Sequence, residues 1–407
     1  MLNPDRPIPK ANTGSELLNA FANFSIKLVQ LERRIDPLFR PVFDAVLRDP
    51  LARAITSMIN SRRHDEGLKV SEEKFLPDEE EYFDSIISSF YAQLRGLWKP
   101  GAFERGGNTK THGIVRGEFT VHDGLSSQLR HGLFAEPRTY KAWVRFSGPG
   151  PYITPDIDDV GFMSISVKLM GVPGPKLMDE EKFTQDLLGV SVPVFVSPDA
   201  SANAQLQVES LKNAQIYYFI NLHRPHILDL IMQSIYLKTQ SSPLESSYFG
   251  QVPYLLGEGQ AMQYSFCPVS STRTRVPQLP FRPADDYLRQ AMAATLAKQD
   301  AVFDVKVQLQ ADPFLMPLEN GAVLWPENLS PYRTVATLRI PKQTFTSLAQ
   351  MDFAKQLSYN PWHCLKEHRP LGNINRARRR VYDTLSKFRH SMNNVSLYEP
   401  TGDEHFE

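Results

Sequence analysis

Arg378 and Tyr382 are the two side chains whose types and spacing suggest the most chemistry in this sequence. They stand four residues apart in the segment 373–392, where apolar residues recur at helical intervals. This spacing places the guanidinium beside the phenol on one face of the helix. A phenol ionises near pKa ~10, and a fixed cation beside it lowers that value. The pair can therefore supply a phenolate, the form in which tyrosine ligates ferric iron, although a surface pair on an amphipathic helix commonly has the same spacing.

His112 is the candidate for proton transfer. It begins the alternating segment HGIVRGEFTV and is predicted to share a strand face with Ile114, Arg116 and Glu118. An imidazole titrates near neutral pH, so it can take a proton from a bound molecule and return it. The ordinary structural alternative is a histidine that is hydrogen-bonded at a strand end.

Arg145 and Ser147 lie two residues apart in the segment KAWVRFSGPG. Residues at this spacing point to the same face of a strand. Arg145 can pair with a carboxylate of a ligand, and the Ser147 hydroxyl could fix the tautomer of His112 through a hydrogen bond. The alternative for Arg145 is an exposed position on an edge strand.

The pattern along the chain predicts helices, then strands, then helices, which is an α+β organisation. We expect an N-terminal helical extension and linker over 1–98, a β domain with inserted helices over 99–345, and a C-terminal helical segment over 346–407 that carries Tyr382. Irregular strand spacing favours an antiparallel barrel or sandwich. The predicted strands cover 112–121, 138–147, 163–172, 192–197, 302–311 and 332–340. The predicted helices cover 15–60, 81–96, most of 200–240, 346–357 and 373–392, with a break in the first at Arg33, Arg34 and Asp36.

Composition excludes several functions. The 45 basic and 45 acidic residues balance, so nothing favours nucleic acid as a partner. No apolar run is long enough for a transmembrane segment or a signal peptide. Two cysteines, Cys267 and Cys364, cannot hold a disulfide framework, which predicts a cytoplasmic setting. His363 and His368 could suggest a metal, but a packing role is favoured.

The order of these segments resembles the catalase family. The similar motifs are Thr111-His112, Val144-Arg145-Phe146-Ser147, DLLGVSVPVF at 186–195, Trp325-Pro326, Phe353-Ala354 leading to Asn360-Pro361, Pro370-Leu371-Gly372, and Arg378 with Tyr382. They span about 100–392, and the stretch 360–378 looks most like the short catalase-related subfamily. The resemblance implies a catalase-like antiparallel β-barrel with an N-terminal helical extension and C-terminal helices. It also implies haem b (iron), with Tyr382 as iron ligand, Arg378 as its partner, His112 over the opposite haem face and Arg145 on a propionate.

The sequence departs from that family at three places. Val190 and Ser191 replace the two asparagines of the family motif, so Ser191 would have to help orient the peroxide. Thr111 precedes the histidine, as in catalase-related allene oxide synthases, where a threonine hydroxyl sits by the histidine. Thr109 replaces the family's arginine, and Lys110 is the candidate to supply that charge.

The implied function is a haem-dependent peroxidase, catalase-like oxidoreductase or hydroperoxide lyase. Its substrate would be hydrogen peroxide or an organic or fatty acid hydroperoxide. A haem-binding protein without turnover and a haem-free interaction module are the alternatives. For the N-terminal helices, packing is favoured, while a lipid entry surface, peripheral membrane contact and a homo-oligomer interface stay open.

Overall fold

Antiparallel strands close into a barrel at the centre of the molecule. The computed structural model describes residues 9–279 and 281–406. Strand pairing follows the order β5-β4-β3-β2-β1-β9-β8-β7-β6, and β5 also pairs with β7, which closes eight strands and leaves β6 outside the ring. The strands are β1 Thr111–Val121, β2 Thr139–Ser147, β3 Ser164–Met170, β4 Thr184–Val190, β5 Tyr248–Phe249, β6 Tyr254–Leu255, β7 Ala261–Pro268, β8 Ala301–Leu309 and β9 Arg333–Ile340. The predicted antiparallel barrel is therefore confirmed.

The alternation of β2 decides what faces the barrel interior. Tyr140, Ala142, Val144 and Phe146 belong to the interior core, as the two-residue period predicts. Arg145 lies on the opposite, outer face of the strand. This face is covered by helices, so the arginine is buried, not exposed on an edge.

The helices lie outside the barrel. They are α1 Glu16–Val46, α2 Arg48–Asn60, α3 Glu79–Leu97, α4 Ala200–Leu211, α5 Ile216–Phe219, α6 Ile227–Tyr236, α7 Tyr287–Leu296, α8 Leu348–Gln356 and α9 Asn373–Met392. Within the described ranges, none combines the length and apolarity needed to cross a membrane.

The predicted break near Arg33 is wrong, because α1 continues past Pro37 and Pro41. A proline removes the N–H that would bond the carbonyl four residues earlier. Here the Thr239 hydroxyl donates to the Arg33 carbonyl instead, and the Thr239 N–H donates to Asp36 at 2.8 Å. A tertiary contact thus supplies the hydrogen bond that the Arg33 carbonyl cannot receive from Pro37.

The predicted strand over 192–197 is also wrong. This segment has no strand partner among the described residues, and Val192 and Val194 instead pack with α2 and α6. The neighbouring segment Thr184–Val190 forms the barrel strand. A short apolar run does not by itself distinguish a sheet position from packing under helices.

A buried ionic cluster ties β3 and β4 to the segment before α9. Lys168 is fully buried, donates to Glu181 and lies 2.7 Å from Asp186. His363 Nδ1 lies 3.0 Å from Asp186, so this histidine has a structural contact. Burial alone would lower the pKa of Lys168, but Asp186 and Glu181 outweigh it and raise that pKa. Glu181, Asp186 and His363 lie close enough together to hold a metal ion. The ammonium group of Lys168 already supplies the positive charge for the two carboxylates.

Replacing Lys168 with methionine should destabilise the fold strongly. The change leaves two buried carboxylates without their cation, which costs about 3–5 kcal/mol. The matched control is Lys141→Met, which breaks an exposed pair with Asp403 and should cost under about 1 kcal/mol. Chemical denaturation of the three proteins measures both values, and equal losses would contradict the assignment of Lys168 as the cation of this cluster.

Candidate cofactor site

A large cavity lies between the outer face of the barrel and the helices. Its volume is about 690 Å³, within the range of small-molecule and cofactor sites. The barrel contributes residues of β2, β3 and β4, and the helices α1, α3, α4, α6 and α9 complete the wall. Most of the wall is apolar, so the few polar groups that reach it define its chemistry.

Tyr382 and Arg378 reach this cavity from α9. The Arg378 guanidinium carbon lies 5.3 Å from the centre of the Tyr382 ring, as the four-residue spacing predicts. Burial works against the charge of Arg378, but Tyr382, Tyr254 and Tyr264 outweigh it and raise the pKa of the guanidinium. A cation thus stays fixed beside the phenol.

Two further tyrosines, Tyr359 and Tyr152, line the cavity in the described part of the chain. Burial raises the pKa of Tyr359 to about 12, although Arg145, Lys168 and Arg105 oppose this. Burial also raises the pKa of Tyr152. Both phenols therefore stay protonated near neutral pH. Tyr382 alone of the three has an arginine one helical turn away on the same helix, which makes it the best candidate for a phenolate.

Three arginines converge on the cavity, of which Arg145 and Arg389 are buried and Arg105 is partly buried. Arg145 donates to the Thr111 hydroxyl at 2.8 Å and to the Asn108 carbonyl at 2.6 Å. Arg105 and Arg389 both donate to the Leu357 carbonyl. Among the described residues, none of the three has a carboxylate within 4.0 Å.

Burial is the main influence on these three cations. It lowers the pKa of each guanidinium, and Arg105 further lowers those of Arg145 and Arg389 by repulsion. Buried cations in a folded protein are normally paired. This cluster is therefore a candidate site for an anionic group.

Arg105 and Arg389 were missed by the sequence analysis. Arg389 follows Tyr382 by seven residues, which is two helical turns, so its position on the same face was readable from the spacing. Arg105 lies in a loop without periodicity and gave no such signal. The expectation that Lys110 supplies the charge is wrong, because Lys110 Nζ lies 2.6 Å from Asp156 and is engaged there.

His112 lies behind the cavity wall and is not part of its lining. The pairing of β1 with β2 shifts between Thr111 and Gly113, so His112 is the extra residue of a β-bulge, a feature that redirects side chains. Neither ring nitrogen has a hydrogen-bond partner within the described structure, and Nδ1 lies 3.7 Å from Asp156. Its Nε2 faces Gly148, and the carboxylate of Asp159 lies on the same side of that glycine. Asp159 does line the cavity.

The remaining predicted residues have contacts that differ from those expected. The Ser147 hydroxyl is buried without a hydrogen-bond partner in the described structure, so the predicted bond to His112 is not formed. The Thr111 hydroxyl accepts from Arg145 and not from the histidine. The Ser191 hydroxyl accepts from the Met163 N–H at 2.9 Å, while its neighbours Val190 and Val192 line the cavity.

The buried histidines predict how stability depends on pH. Burial lowers the pKa of His112 and of His368 from 6.5 to about 4, with only partial opposition from Asp156 in the first case. Between these values the unfolded chain binds protons that the folded chain does not. The free energy of unfolding should therefore fall as the pH drops from 6.5 towards 4, by up to about 3 kcal/mol per histidine.

The variant His112→Gln isolates one histidine, because it removes a titrating ring that has no hydrogen bond to lose. Denaturation of the cofactor-free protein at several pH values should show a shallower acid loss for this variant. The exposed His64→Gln should retain the slope of the wild type. Parallel slopes for all three proteins would contradict a neutral, buried His112.

Comparisons with known proteins bear on the fold. No protein-family model matches the sequence, and none of the curated proteins is significantly similar to it. Solved structures do match. Catalase A from Saccharomyces cerevisiae aligns at TM-score 0.58 and 14% identity, over 85% of this chain and 72% of that one. A fungal catalase aligns at 0.57 and 15%, over 85% and 70% of the two chains. A bacterial catalase aligns at 0.55 and 14%, over 83% and 67%. At such identities the similarity concerns the fold alone, and the chain therefore has a catalase-like fold.

Proposed function

We propose that the cavity binds haem b and that the chain is a haem-dependent enzyme that reacts with a hydroperoxide. One observation carries the proposal: two buried arginines and a partly buried one, all without carboxylate partners in the described structure, share a single cavity with a tyrosine that an arginine accompanies on the same helix. The catalase-like fold is consistent with this combination.

The residues present fit the two chemical ends of a haem. The propionates would bring two negative charges to Arg105, Arg145 and Arg389. One nitrogen of Arg105 is buried without a hydrogen-bond partner in the described structure, so it has a donor to offer. Tyr382 would ligate the iron as a phenolate, with Arg378 stabilising its negative charge. The apolar remainder of the wall would cover the porphyrin faces.

When bound, the haem would supply an iron centre that takes up the peroxide oxygen and exchanges electrons with it. The chain itself would manage the proton. The His112 ring is neutral above pH about 4 and can accept a proton. Asp159 lines the cavity and lies beside the histidine, so it would connect the two. Burial raises the pKa of Asp159, which favours a carboxyl that can carry a proton.

A second candidate function is haem binding without turnover. The position of His112 behind the wall and the engaged hydroxyl of Ser191 favour it. These two functions share the cofactor and differ only in reactivity. Measuring both haem binding and peroxide consumption therefore distinguishes them.

The test begins with titration of the purified protein with haemin. A saturable Soret band at one haem per chain supports either function, whereas a protein that acquires no Soret band would refute both. Oxygen evolution from hydrogen peroxide then tests catalase-like activity, and loss of diene absorbance tests the use of a fatty acid hydroperoxide. A saturated haem complex that consumes neither substrate would favour haem binding alone.

His112→Gln should leave the haem spectrum of an active protein in place and slow peroxide consumption by about 100-fold or more, since general acid–base catalysis typically contributes at least that factor. His122→Gln is the matched control, because this histidine follows the other end of β1 and bonds Thr337 away from the cavity. Equal rates for the two variants would exclude His112 from proton transfer.

A further inference from the structure

Helix α1 has two opposite faces with different roles. One face packs on its own chain and contains the buried residues Ala22, Arg33, Asp36 and Arg40. The other face is exposed over its whole length. Its apolar side chains are exposed to between 42% and 85%, namely Leu17, Phe21, Phe24, Leu28, Leu31, Ile35, Leu38 and Val42 at the core of the stripe, with Leu18 and Phe39 beside it.

The stripe has a strict heptad spacing. Its successive members are separated by four, three, four, three, four, three and four residues. In heptad notation, position d is occupied by Leu17, Phe24, Leu31 and Leu38, and position a by Phe21, Leu28, Ile35 and Val42. A repeat of 3.5 residues is the period of a helix that packs against another helix along a seam. Leucine at d with Ile or Val at a favours two parallel strands. Leu17, Leu31 and Leu38 at d and Ile35 and Val42 at a match this combination, whereas Phe24 at d and Phe21 and Leu28 at a do not.

The flanking charges agree with a parallel pair. Lys27 occupies a g position and Glu32 the e position that follows it in the next heptad. In a parallel coiled coil, these positions of opposite helices face each other, so Lys27 of each helix would approach Glu32 of the other. Glu32 is partly buried and lies 3.6 Å from Arg40 of its own chain, so this lysine would add to a weak ion pair. Between Leu17 and Leu47 of the described helix, Lys27 is the only exposed charged residue, and the others are partly or fully buried.

We propose that the exposed face of α1 binds α1 of a second copy of this chain, as a parallel two-stranded coiled coil over Leu17–Ile35. The pairing should weaken beyond Ile35, because Pro37 and Pro41 disturb the helix there. A lipid surface would also cover apolar side chains, but it requires neither the 3.5-residue repeat nor the Lys27–Glu32 complementarity. This inference is independent of the cofactor.

The first test is the mass of the whole protein in solution. Sedimentation should give the wild type at twice the 46.2 kDa of one chain, or a larger even multiple. Phe24→Glu with Leu31→Glu places charges in two seam layers, and should halve that mass and raise the dissociation constant by at least about 100-fold. Both side chains are 57% exposed in the single chain, so the variant should fold.

The matched control replaces another exposed phenylalanine and leucine outside α1. Phe183→Glu with Leu348→Glu changes side chains that are 65% and 84% exposed and should retain the mass of the wild type. A monomeric wild type, including one that instead floats with phosphatidylcholine vesicles, would overturn the proposal. So would a seam variant whose mass is unchanged.

A cross-link tests the parallel direction. Phe21→Cys brings two cysteines together in the parallel pair, because an antiparallel pair centred on the segment Leu17–Ile35 would separate them by about 15 Å. Oxidation should give a covalent dimer of this variant, and no such product from Leu348→Cys or from the native Cys267 and Cys364. A dimer that does not cross-link at position 21 would overturn the parallel arrangement.

Discussion

Replacing Tyr382 with phenylalanine should abolish or shift the Soret band that haemin produces with the wild-type protein. The substitution removes one oxygen and leaves the ring, so the cavity retains its shape. It removes the atom that we assign as the iron ligand, beside a guanidinium 5.3 Å from the ring. Direct ligation by an anionic oxygen is a larger contribution than any other single contact in the site, so we expect the largest spectral change of all variants. Absorption spectra at matched haemin concentrations measure it.

Tyr359→Phe is the control for this prediction. Tyr359 lines the same cavity and is also buried, but burial raises its pKa to about 12, so its phenol stays protonated. Its spectrum should match that of the wild type. If Tyr382→Phe and the wild type give identical bands, Tyr382 is not the ligand. If Tyr359→Phe alone loses the band, the ligand is the other phenol.

Arg145→Met should have opposite effects on ligand affinity and on the stability of the haem-free protein. Haemin affinity should fall by about 10- to 150-fold, since hydrogen bonds to a charged group contribute about 1.5–3 kcal/mol. The haem-free protein should be at least as stable as the wild type, because the change removes a buried cation that has no carboxylate partner and is repelled by Arg105. Haemin titration and denaturation of the same preparation measure the two effects.

Arg63→Met is the control for this prediction, because it removes an arginine that lies outside the cavity. Arg63 is half-buried and donates to the Phe314 carbonyl at 2.6 Å, but it does not line the cavity. Its loss should reduce stability and leave haemin affinity unchanged. If Arg145→Met behaves like Arg63→Met, with reduced stability and unchanged haemin affinity, the arginine cluster is part of the packing and not an anion site.

Local sequence patterns correctly predicted the direction of side chains in elements whose contacts repeat at a regular interval. The two-residue alternation of β2 correctly divided Val144 and Phe146 from Arg145, because every second side chain of a barrel strand faces the interior. The helical period gave α9 its observed limits and placed Arg378 beside Tyr382. These relations depend only on the geometry of one element.

Local patterns failed where the stabilising partner is distant in the chain. Asp156 follows Pro155 in a segment without periodicity, yet it is buried and paired with Lys110. The strands β4, β5, β6 and β7 were not predicted. In β5 and β6 two residues carry no period, and their pairing is set by β4 and β7. In β7 the core residues Met262, Tyr264 and Phe266 do alternate, so this strand was readable from the sequence. The course of α1 through two prolines depends on Thr239, some 200 residues later.

The sequence by itself determined the α+β organisation, the five barrel strands β1, β2, β3, β8 and β9, and the position of Arg378 beside Tyr382. Only the tertiary structure decided that Arg105 and Arg389 join Arg145 at one cavity, and that His112 lies behind its wall. The physical reason is that the direction of a side chain within an element follows from backbone periodicity. Which elements share a cavity follows instead from packing between segments that are far apart in the chain, and one bulge at His112 is enough to redirect a side chain.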